Sequence, residues 1–110
     1  MSVIKEDLVI PQGTTYSKTF SVKDSNGDLM NLSGYTANSQ MRREFTSNTV
    51  TLSFTTAVDT GGYVTISTTP AQTSPIEARR YLYDVEINDG SDNITRIREG
   101  IITLTPEITK

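Results

Sequence analysis

Oxygen-rich clusters are the first residues in this chain that could do chemistry. Asp24, Asn26 and Asp28 lie within DSNGD, and Asn88, Asp89, Asp92 and Asn93 lie within NDGSDN. Both stretches resemble fragments of calcium-binding loops. Calcium takes six or more oxygens, and a loop of that kind is closed by a distant bidentate glutamate that neither stretch supplies. Asn and Asp beside Gly are turn formers first. The turn reading is preferred, and Asp24, Asn26 and Asp28 stay as weak calcium candidates. The chain has no His and no Cys, so the commonest general base, the thiolate nucleophile and the soft metal ligands are missing. Carboxylates, Lys, Tyr and hydroxyls remain, and no spacing among them marks a catalytic set. The expectation is a protein that is not an enzyme and needs no cofactor.

The second cluster is basic. In RRYLYDVEINDGSDNITRIREG, residues 79–100, Tyr81, Tyr83, Val85 and Ile87 alternate with Arg80, Leu82, Asp84 and Glu86. A Gly-containing turn follows, then a run with Arg96 and Arg98. If the two runs form a hairpin around a three- or five-residue loop, Glu86 faces Arg96 and Asp84 faces Arg98, while Val85 meets Ile97 on the inner side. A two-residue loop would set apolar residues opposite charged ones. Each opposed pair contributes roughly 0.2–1 kcal/mol, at the low end when exposed. Two readings follow. The charges form a cross-strand ladder that fixes register and keeps the surface wet. Alternatively Arg42, Arg80, Arg96 and Arg98, which outnumber Asp84 and Glu86, are interface residues, since guanidinium forks favour protein contacts.

The elements that must carry these residues are strands. Thr occurs 18 times and Ser 11 times, a bias toward strands and turns. Period-2 alternation recurs along the sequence, with no sustained helical periodicity. Strand signals cover Val3 to Ile10, Thr15 to Val22, Tyr35 to Arg43, Val50 to Phe54, Tyr63 to Thr68, and the two runs of the hairpin, the last ending before Pro106. Lys18 sits at an inward position among Tyr16, Phe20 and Val22, where a stem lying along a strand edge with its amine in water explains it best. Ser74, Pro75 and Glu77 read as N-cap, N1 and N3 of a short helical turn at 74–78. The fold expected is all-β: a seven-stranded immunoglobulin-like antiparallel β-sandwich in one domain, residues 1–110, with Tyr81 or Tyr83 as the corner tyrosine.

Net charge is −3, so no bulk attraction to nucleic acid or anionic membrane is expected. No apolar run approaches the ~20 residues of a membrane-spanning helix, and MSVIKEDLVI does not read as a signal peptide. The triplets at 31–33 and 93–95 match glycosylation sequons, a pattern that arises often by chance.

Two long segments, QGTTYSKTFSVKDSNGDLMNLSGYTANSQMR and RRYLYDVEINDGSDNITRIREGIITLTPEIT, resemble small virion proteins of tailed phages. The shared order is Gln-Gly-Thr-Thr, an Asp-x-x-Gly turn, Leu-Ser-Gly-Tyr-Thr ending in Arg, then Tyr-x-Tyr-Asp-Val-Glu and a Glu-Gly pair before the last strand. The Leu-Ser-Gly-Tyr region is also similar to the N-terminal domain of siphophage upper-baseplate proteins. The resemblance implies an immunoglobulin-like sandwich built into a virion, assembled in the host cytoplasm, with other virion proteins as partners and self-association open. It supplies no catalytic residue. It implies fold-setting roles for Gly13, Gly27, Gly34, Tyr35, Tyr83 and Gly100. A β-bulge is expected at Gly100, where inward parity switches from Ile97 to Ile102 and Leu104. The role implied is a tail, baseplate or fibre-attachment subunit, with capsid decoration or a host-surface carbohydrate-binding module as alternatives.

Overall fold

The computed structural model describes residues 3–44 and 46–108. The strands are β1 (Ile4–Lys5), β2 (Leu8–Pro11), β3 (Tyr16–Ser21), β4 (Thr36–Arg42), β5 (Leu52–Ser53), β6 (Thr55–Asp59), β7 (Tyr63–Thr68), β8 (Arg80–Asn88) and β9 (Ile94–Thr105). One helical turn, α1 (Pro70–Thr73), separates β7 from β8. The larger sheet runs β1-β9-β8-β4-β5, with β2 also on β9, and the smaller runs β3-β7-β6. Alternation does the sorting. Ala37, Ser39 and Met41 of β4, Tyr81, Tyr83, Val85 and Ile87 of β8, and Val64 and Ile66 of β7 are all buried. The apolar ones meet between the sheets in one cluster with Ile10, Phe20, Leu32, Ile97, Ile102 and Leu104.

Several sequence expectations need correction. The chain forms nine strand segments among the described residues, not seven, because the first expected strand is broken in two and β6 (Thr55–Asp59) was not expected. The first breaks at Glu6 and Asp7. The unexpected strand follows Phe54, where the backbone leaves the larger sheet for the smaller and the Phe54 N–H donates to the Ser39 carbonyl at 3.0 Å. The sheets are not wholly antiparallel. Both N-terminal segments run parallel to β9, with Ile4 level with Arg98 and Leu8 level with Ile102.

The helical turn lies five residues earlier than the Ser74 capping signal suggests. Thr69-Pro70-Ala71-Gln72 carries the same kind of signal, and Gln72 Oε1 accepts from the Thr69 N–H at 2.8 Å and the Thr68 hydroxyl at 2.9 Å. Ser74 closes the turn instead of opening it, donating from both its N–H and its hydroxyl to the Pro70 carbonyl. Pro75 follows, with no N–H to continue the helix.

Two tyrosines tie the larger sheet to its surroundings. The Tyr81 hydroxyl donates to the Glu77 carbonyl, four residues back. The Tyr83 hydroxyl donates to the Glu6 carbonyl at 2.6 Å. Burial, and then the Glu6 carboxylate nearby, push the Tyr83 phenol well above the usual tyrosine value. Tyr81→Phe removes a buried donor without changing shape and leaves the Glu77 carbonyl short of a partner. It should cost about 1 kcal/mol, read as a lower urea midpoint with an unchanged slope; an unchanged midpoint would mean that water replaces the bond.

Backbone groups of β4 and the edge strand β3 are partly guarded. On β4, the Met41 carbonyl accepts from the Thr51 N–H and the Ala37 carbonyl from the Thr56 hydroxyl. On β3, Lys18 points inward at the edge and pairs with Glu6 at 3.3 Å. Inward charge at an edge strand discourages pairing with other chains.

Candidate functional site

The outer face of the larger sheet gathers Arg42, Arg80, Asp84, Glu86 and Arg96 of the charged residues singled out in the sequence. Even-numbered positions of β4 and β8 point outward, which brings Asn38, Gln40 and Arg42 alongside Leu82, Asp84 and Glu86. The hairpin of β8 and β9 has a five-residue loop, and Glu86 stands opposite Arg96, as the charge pattern predicts. Arg96 is the hub of the face. Its guanidinium lies 3.4 Å from Asp84, 3.7 Å from Glu86 and 3.6 Å from Glu99. With 43 % of the Arg96 side chain exposed, water and salt screen these pairs, and each contributes at most about 1 kcal/mol. Arg42 donates to the Ser47 carbonyl at 2.7 Å and to Gln40 at 3.0 Å. Together these residues line a shallow open depression of about 540 Å³.

Arg98 is not on this face. The strand bulges between the Glu86–Arg96 pair and the Val85–Arg98 pair, ahead of the Gly100 position expected for it. Two consecutive residues, Ile97 and Arg98, therefore point inward. The expected Asp84–Arg98 and Val85–Ile97 pairs do not form: Asp84 stands opposite Glu99 and Val85 opposite Arg98. Arg98 is 6 % exposed. Its guanidinium donates to Glu6 at 3.3 Å, the Ile97 carbonyl at 3.1 Å and the Ser21 carbonyl at 2.9 Å, and it packs over the Phe20 ring. As an interface candidate Arg98 is withdrawn; it is an internal fastener. Among the described charged residues that line the depression, Glu44, Asp84, Glu86 and Glu99 outnumber Arg42 and Arg96. The expected excess of arginine is absent there. Arg80 is exposed at the far end of β8.

Glu99 was missed by the sequence reading, yet a signal for it existed. Inward parity must shift once between Ile97 and Ile102. Placing the shift at Arg98 turns Glu99 outward, three residues from Arg96.

Asp84 is half-buried on this face. Burial raises its carboxyl above the ordinary value of 3.8, against the lowering influence of Arg96 and Arg42, and Glu99 adds to the rise. A folded-state pKa above the unfolded one means that stability is fully present below about pH 3.8 and is lost as pH rises through the folded value. Asp84→Asn should therefore match or slightly exceed the parent in urea midpoint at neutral pH, with the advantage fading in acid. A lower midpoint at pH 7 would show that attraction to Arg96 outweighs burial.

The calcium candidates are occupied with turn geometry. Asp24 Oδ1 accepts from the N–H groups of Asn26 and Asp28 at 2.9 and 3.1 Å. Asp89 accepts from the Ser91 N–H at 2.7 Å and the Asn93 side-chain amide at 2.9 Å. These bonds hold its carboxyl below the usual range. Among the described residues, no three acidic side chains are placed to hold a metal ion.

Gly13, Gly27 and Gly34 take φ of +77°, +84° and +81°. Tyr35 is half-buried against the core. A second fastener, unsuspected from sequence, is Gln12. Its side chain donates to the Ile76 carbonyl at 2.7 Å and accepts from the Glu107 N–H at 3.1 Å. The neighbouring Gly13 N–H donates to the buried Thr73 hydroxyl at 2.9 Å. Compared with known proteins, the chain matches no family model and no curated sequence.

Proposed function

We propose that this protein is a structural subunit of a tailed-phage virion, an immunoglobulin-like sandwich that packs against other virion proteins at the tail, baseplate or fibre-attachment region. The observation that carries the reading is where its motif residues lie. Gln12 and Gly13 of the Gln-Gly-Thr-Thr motif, Tyr83 of the Tyr-x-Tyr motif and Gly100 of the Glu-Gly pair sit at the contacts that fasten the N-terminal segment to the sandwich. A resemblance that reflects a shared fold should fall on such residues.

The strand order supports the immunoglobulin-like part. β9-β8-β4-β5 against β3-β7-β6 is the order G-F-C-C′ against B-E-D of those sandwiches, and the backward bond of Tyr81 is that of their corner tyrosine. The mixed-charge face bearing Arg42, Arg80 and Arg96 is the surface assigned to that contact.

Cryo-electron microscopy of purified virions tests this reading. The sandwich should occupy a fixed position in the tail region with that face covered; particles lacking the protein would overturn the proposal. Light scattering of the isolated protein at two salt concentrations separates the decoration alternative. A closed trimer or larger ring favours decoration, and a salt-insensitive monomer favours an adaptor completed by a different virion protein.

A further inference from the structure

We infer that Asn26 is a site of spontaneous covalent modification, converted through a succinimide to aspartate and isoaspartate. Asn26 is followed by Gly27, and every residue from Lys23 to Leu29 is exposed. The backbone nitrogen of Gly27 attacks the amide carbonyl carbon of the Asn26 side chain and forms a five-membered ring. The carbon–nitrogen bond of that amide breaks and ammonia leaves, taking up the proton that the attacking nitrogen gives to water. Water then adds to either ring carbonyl and opens the ring to aspartate or isoaspartate.

Glycine at the attacking position matters because it carries no Cβ to crowd the nitrogen. Gly27 has φ of +84°, and a methyl group built on it would meet nothing within 4 Å. The Asp24 side chain, not the Asn26 amide, makes the polar bonds of the turn. One restraint opposes the attack: the Gly27 N–H donates to the Asp24 carbonyl at 3.0 Å. That bond lies at an exposed loop tip, where local opening is inexpensive.

The Asp89–Gly90 pair is the internal contrast. The same ring can close there only from the protonated carboxyl. Asp89 is held ionised by bonds from Asn93 and Ser91, and the Gly90 N–H is fixed on the Asn88 side chain at 2.9 Å. The two Gly-containing turns should therefore age differently.

The test is incubation of the folded protein at mildly alkaline pH, followed by intact mass, peptide mapping and labelling by an isoaspartyl methyltransferase. The protein should gain about one mass unit at Asn26, release ammonia and take label at that residue. Asn26→Gln should remove the signal, and Gly27→Ala should slow it by roughly tenfold or more. Asp89–Gly90 should stay unlabelled under these conditions, because a carboxyl is ionised at alkaline pH and the Gly90 N–H stays on the Asn88 side chain. An unmodified Asn26 in the folded protein, when the same segment reacts in urea, would overturn the inference by showing that the Asp24 bond protects the turn. Modification centred on another asparagine would overturn it as well.

Discussion

Arg98→Met should lower the stability of the sandwich by roughly 3 kcal/mol, near the lower end of what breaking a buried charged contact costs. The guanidinium bridges three parts of the molecule that are far apart in sequence: Glu6 before β2, the Ser21 carbonyl at the end of β3, and its own strand at Ile97. Methionine fills much of the volume over Phe20 but leaves both carbonyls short of a donor. The effect stays below the largest values because Glu6 is 31 % exposed and keeps its second partner, Lys18. Lysine at 98 should recover only part of the loss, since a single ammonium cannot serve three acceptors spread around a planar fork. Urea unfolding monitored by circular dichroism reads the difference. A loss under about 1 kcal/mol would mean that the cost of drying the guanidinium nearly cancels its contacts.

Gly100→Ala should be as damaging, through a different physical cause. A methyl group at Gly100 would collide with the Glu6 carbonyl oxygen and lie 2.9 Å from Asp7 Oδ1. The first of these is backbone, and it is already held by the Tyr83 hydroxyl. The Asp7 carboxylate accepts from the Ile101 N–H at 3.0 Å, so the segment cannot retreat without breaking several contacts together. A loss of roughly 2–3 kcal/mol is expected, in the range of overpacking. Hydrogen exchange should speed up selectively at residues 4–10, the portion displaced from β9. Uniform acceleration across both sheets would mean that this segment does not detach separately.

These two residues show what alternation could and could not reveal. The β8–β9 hairpin was legible because Glu86 and Arg96 are complementary and close in sequence, and a wrong register would have exposed Val85 and Ile87. The strand that carries Arg42 was legible for the same reason, with Ala37, Ser39 and Met41 inward. The bulge at Arg98 was not. A buried arginine looks like an outward residue until its partner is known, and Glu6 is 92 positions away. The break in the first strand shares that cause, because nothing local to Glu6 and Asp7 announces that Gly100 lets them approach. The helical turn was misplaced because Thr69-Pro70-Ala71-Gln72 and Ser74-Pro75-Ile76-Glu77 offer the same start signal.

The candidate face followed the same pattern. Arg42, Arg80, Asp84, Glu86 and Arg96 were readable as outward charges, while Glu99, which changes the balance of the face, depended on the bulge.

The parallel pairing of the N-terminal segment with β9 also has a mechanical consequence. Leu8 to Pro11 lie level with Ile102 to Thr105, both strands running in the same direction. A pull that draws residue 3 one way and residue 108 the other loads all these rungs sideways at once. They must fail together rather than peel apart one by one, so a tensile load drawn between residues 3 and 108 is met by this seam in shear.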